Sequence, residues 1–164
     1  MEWISRWWQS LGFGIQSKTD FAFLHDVIKE KHPYYAFQTL REHFPDATKS
    51  QMQRAELLFR VCNAIKPNRM QMAGLPSPLF AEALSMALSA KRSMTQQPDF
   101  IYGEGECVIP SFQGLKALVL THINSSNKDL WERVLKVNSI TYDMKDLGIA
   151  IFCEGRYPEH YRLQ

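Results

Sequence analysis

Residues 69–80, RMQMAGLPSPLF, constrain this chain more than any other stretch. A short apolar run leads into a turn built on Gly74, Pro76 and Pro78, and an apolar helix start follows at once. Ser77 is a good helix N-cap, and Pro78 suits the first helical position, where its missing N–H is no loss. Leu79, Ala83, Met86, Ala87 and Ala90 give the helix its stripe. Strand, glycine turn and helix in that order form the opening unit of a doubly wound α/β sheet, with the turn where a phosphate or nucleotide would sit.

The elements downstream suit such a sheet. KALVLTH (116–122) is apolar throughout its middle, as a strand covered on both faces must be. Ser126, with Asp129 three residues on, is expected to cap a helix whose inner stripe is Leu130, Trp131, Val134 and Leu135. Residues 139–144 and 147–153 read as a β-hairpin around Lys145-Asp146. Further short strands are expected at 99–102 and 160–163.

Upstream, the pattern is helical. Met52, Ala55, Leu58, Phe59, Cys62 and Ile65 mark a helix over 50–65, ended by Pro67. A second helix is expected from Thr19, capped by Thr19 or Asp20, with Phe21, Leu24, Val27 and Ile28 buried and Pro33 as its stop. The aromatics of PYYAF (33–37) are expected beside Phe23. Residues 1–11 place Trp3, Ile4, Trp7, Trp8 and Leu11 on one helical face, a stripe for core or interface, which Gly12 and Gly14 end. The chain therefore divides into a helical extension, 1–66, and an α/β core, 67–164, within a single domain.

Composition excludes several classes. With 45% hydrophobic and 22% charged residues the chain is ordinarily globular, and a net charge of +2, with both signs interleaved, gives no footprint for nucleic acid. Cys62, Cys107 and Cys153 lack the paired spacing of a zinc site and are read as reduced thiols. No apolar run is long enough to span a bilayer, Arg6 alone does not make a membrane-binding face, and no export signal is evident. A cytoplasmic protein is expected.

Several phrases, in this order, carry a resemblance: GFGIQSKTDFAF (12–23), PYYAF (33–37), AELLFRVCNAIKP (55–67), DLGIAIF (146–152) and EHYRL (159–163). Together they resemble a Bacteroidetes-type class I methyltransferase family. The resemblance implies a Rossmann-like sheet, here shortened, with an N-terminal helical extension and a C-terminal β-hairpin. It also implies a turn after the first strand that meets S-adenosylmethionine. Of that turn only Gly74 fits: Met72 stands where the family would have an acid, and Pro76, Ser77 and Pro78 where it would have further small residues. The second and third strands, with the acid that would grip the ribose, are expected to be missing, and Thr121, His122 and Asn124 replace paired aspartates.

The other candidates are ordinary residues read alone. His122 ends a strand, where an open sheet presents ligand-binding groups, but no carboxylate partner is evident. Glu104 and Glu106 could pair for acid–base or metal work, yet alternating glutamates among glycines are more often solvated. His25, His32, His43 and His160 show no metal-ligand spacing. The expectation is thus a degenerate, non-catalytic methyltransferase-like binding or interaction module without cofactor or metal. The alternative is an S-adenosylmethionine-dependent methyltransferase acting on a small substrate. Deletion of two strands would leave the strand at 70–73 as a sheet edge, to be covered by Trp3, Trp7 and Trp8 or paired with a second copy, which predicts a homodimer.

Overall fold

A computed structural model describes residues 7–8, 11–12, 14–87, 91–92, 97–137 and 139–163; for 91–92 the backbone alone is described. The helices are α1 (Lys18–Phe23), continued as a π-helical stretch over Leu24–Ile28, α2 (Tyr35–His43), α3 (Lys49–Ile65), α4 (Pro78–Ala87) and α5 (Lys128–Val134). The strands are β1 (Arg69–Gly74), β2 (Lys91–Arg92), β3 (Phe100–Glu104), β4 (Ala117–Thr121), β5 (Ser139–Met144), β6 (Leu147–Phe152) and β7 (Glu159–Arg162). They form one α/β sheet in the order β2-β1-β3-β4-β6-β5-β7. β2, β1, β3 and β4 run parallel, β6 is antiparallel to both its neighbours, and β7 pairs parallel with β5.

The alternation of each strand divides the core. On one face Met70, Phe100, Tyr102, Val119, Tyr142 and Ile149 meet the helical layer, to which α3 contributes Met52, Ala55, Leu58, Phe59 and Cys62. On the other, Ile101, Leu118, Leu120 and Ala150 meet Leu130, Trp131 and Val134 of α5. β4 is buried on both faces, which explains its unbroken apolar run. α3 starts with a capping box: the Thr48 hydroxyl accepts from the Gln51 N–H at 3.2 Å, and the Gln51 side chain returns to the Thr48 N–H at 2.8 Å.

Several expectations are corrected. β1 is not a sheet edge, because β2 pairs with it at Arg69 and Met70 while β3 pairs with it on the other side. α1 is capped by Ser17, not by Thr19 or Asp20. Phe21 is 42% exposed and lies against Gly12, whereas Asp20 is 3% exposed. No PYYAF ring pairs with that of Phe23, although Phe23 and Phe37 share one hydrophobic cluster. Tyr35 opens α2 and is exposed, Phe37 packs on Phe59, and Phe23 stacks on Tyr142 of β5. Ser126 does not cap α5; Asn127 stands at its N-cap, with its side chain drawn into a neighbouring loop. Trp3, Ile4 and Ala90 lie outside the described residues.

Asp20 joins the two ends of the fold. Its carboxylate accepts from both terminal nitrogens of Arg156, at 2.9 and 3.0 Å, and from the Tyr161 hydroxyl at 3.0 Å. The Tyr142 hydroxyl donates to its carbonyl at 3.1 Å. Nothing in the sequence signals this, since the partners lie 136 and 141 residues away.

Candidate functional site

The carboxyl ends of β1, β3 and β4 are where an open α/β sheet places ligands. Gly74 ends β1 at φ +77°, a left-handed conformation that favours glycine. A Cβ there would stand 2.0 Å from the Glu104 carbonyl oxygen and 3.1 Å from the Cys107 Sγ, so the neighbouring strand, not a ligand, makes the close approach.

Glu104 closes the turn. Its carbonyl accepts the Leu75 N–H at 3.0 Å, and its Oε2 accepts the Ser77 N–H at 2.7 Å and the Tyr102 hydroxyl at 3.1 Å. The carboxylate thereby sits against the first turn of α4, where the helix dipole favours a negative charge. Burial first, and then the adjacent Glu104 charge, push the Tyr102 phenol far above its ordinary value, so it stays a donor. Pro76 and Pro78 have no N–H. All four positions from 75 to 78 therefore lack an amide free to bind a ligand.

Leu75 is 88% exposed, and the side chain that reaches into the turn is that of Glu104. Met72 projects toward the helical layer, and Ser77 accepts from the Phe80 N–H at 3.4 Å as a helix cap. Glu104 and Glu106 do not act together, since Glu104 turns inward and Glu106 is exposed.

The next layer is held by Asn127. Its Oδ1 accepts the Cys107 N–H at 3.0 Å, and its Nδ2 donates to the carbonyls of Thr121, at 2.8 Å, and Gly105. Burial pushes the Cys107 thiol up, away from the thiolate a nucleophile needs. His122 has φ +56°, its carbonyl accepts the N–H groups of Ser125 and Asn127 at 3.0 Å, and its Nδ1 meets the Thr121 hydroxyl at 2.8 Å rather than a carboxylate. It forms the turn into α5. Asn124 reaches the Lys145 carbonyl. The sequence reading missed Asn127 and the inward turn of Glu104, because both depend on groups at least 20 residues away in the chain.

Trp7 and Trp8 are 43% and 45% exposed, and their rings meet edge to face at 5.5 Å. Among the described residues, no group of three or more His, Cys, Asp or Glu side chains could hold a metal ion, and no helix is long and apolar enough to cross a membrane. No family model matches the chain, and no curated protein matches it significantly.

Proposed function

We propose that the protein is a non-catalytic binding or interaction module on a reduced, class I methyltransferase-like scaffold. The observation that carries this reading is Glu104. With the Leu75 and Ser77 amides both bonded to it, and Pro76 and Pro78 contributing none, the turn offers no free N–H to the carboxylate of S-adenosylmethionine. A carboxylate already stands at the α4 N-terminus, Met72 faces the core, and His122 shapes a turn. The interaction surface in this reading is the N-terminal aromatic stripe of Trp3, Trp7 and Trp8, through which two copies associate. The half-exposed Trp7 and Trp8 support it, since large aromatics dominate interface energies.

Calorimetry with S-adenosylmethionine tests the reading. No binding is expected, and a dissociation constant at or below roughly 100 μM would restore the methyltransferase alternative.

A further inference from the structure

Inner strands of a sheet covered on both faces are apolar on both sides, as β4 is. β1 is not covered in this way. It lies between β2 and β3, and Met70 and Met72 face the helical layer, but its other face carries the exposed Gln71 and the small Ala73. Gln71 pairs in register with the buried Ile101 of β3.

A cavity of about 260 Å³ opens at this place, between the face of β1 and β3 and the segment 108–115. Every described residue that lines it is uncharged. Ala73, Ile101 and Leu115 give it an apolar wall, and Gln71, Gln97 and Gln113, from three separate stretches, give it amides. The outer wall is braced. The Gln97 side chain donates to the Gln113 carbonyl, Arg133 donates to the Pro110 carbonyl at 3.2 Å, and its guanidinium stands 5.4 Å from the Phe112 ring centre. The side-chain amide of Gln71 has no protein partner among the described residues.

We propose that this cavity binds a small uncharged ligand bearing a carboxamide or cyclic-amide edge. A glutamine side chain presents an acceptor beside a donor, and its natural complement is an N–H beside a C=O. A charged ligand would shed water with no opposite charge among the described lining residues to replace it, whereas a planar neutral body suits the apolar wall. The volume falls below the roughly 300–1,000 Å³ of drug-sized sites, which limits the ligand to one ring or a short side chain. The site goes beyond the interaction reading and stands whether or not that reading holds.

The test is a titration of the isotope-labelled full chain by amide NMR, with nicotinamide as the probe and nicotinate as its charged counterpart. Saturating shifts are expected at the Gln71 side-chain amide and the Ile101 backbone, with a dissociation constant of about 1 mM or lower, and nicotinate should bind at least about tenfold more weakly. Gln71→Ala, at an exposed position, should leave the rest of the spectrum in place and weaken binding about fivefold or more. Failure to saturate by about 20 mM, equal binding of the two probes, or shifts confined to other parts of the fold would each overturn the assignment.

Discussion

Gly148, in β6, lies directly beneath the Trp131 indole of α5. A Cβ built there would stand 2.6, 2.7 and 2.8 Å from three ring atoms of Trp131, whose indole is buried and rigid. In an open strand, Gly148→Ala would gain about 0.5–1 kcal/mol through lost unfolded-state entropy. Here the methyl must push the indole away, and overpacking of this kind costs about 1–3 kcal/mol, so a net loss of about 1–2 kcal/mol is expected. Trp131→Ala removes the ring and should cost about 3–5 kcal/mol. In the double variant the methyl enters the space the ring has left, so it should be no less stable than Trp131→Ala alone. The resulting coupling, about 1–2 kcal/mol, exceeds the roughly 0.3–0.5 kcal/mol within which independent sites add. Urea unfolding followed by far-ultraviolet circular dichroism measures all four corners of the cycle without relying on tryptophan emission. Additive losses would refute the packing of α5 on Gly148, and an unchanged midpoint for Trp131→Ala would mean that this helix face meets solvent.

Asp20→Ala should destabilise by about 2–4 kcal/mol, because it strands the Tyr161 hydroxyl and the Arg156 guanidinium, the latter tempered by its access to water. Faster hydrogen exchange across residues 18–28 together with a lower urea midpoint would bear this out, and an unchanged midpoint would refute it. Burial disfavours the charge on Asp99, but the amides of Asn68 and Arg69 and the Lys116 ammonium outweigh it and hold the carboxyl below its ordinary value. The stability this provides is present above the unfolded pKa of about 3.9 and is lost as pH falls through the lower folded value. Urea midpoints of Asp99→Asn and the parent chain should therefore converge as pH falls from about 6 toward 3, and a constant gap would refute the linkage.

Periodicity carried most of the core because its signal is local. The apolar stripe of α3, the run of β4, the alternation of β5 and β6 and the Ser77-Pro78 start of α4 are written within a few residues of one another. Misreadings fall where a distant partner decides. Asp20 looks like a helix cap until Arg156 and Tyr161 arrive from the far end of the chain. Ser126 looks like a cap beside Asn127, whose side chain is committed to Cys107 and Thr121. β1 reads as an edge because two residues, Lys91 and Arg92, give no strand signal of their own and extend the sheet by pairing alone. Glu104 reads as a solvated glutamate because its acceptor role needs the Ser77 amide, 27 positions earlier.

The clasp between Asp20 and Arg156 also orders events in time. A chain emerging from the ribosome displays residues 17–28 long before Arg156 and Tyr161 exist to hold them, and contacts of such separation are slow to form. Until then, the Asp20 carboxylate stands without its final partners. The two extremities of the fold thus mature together.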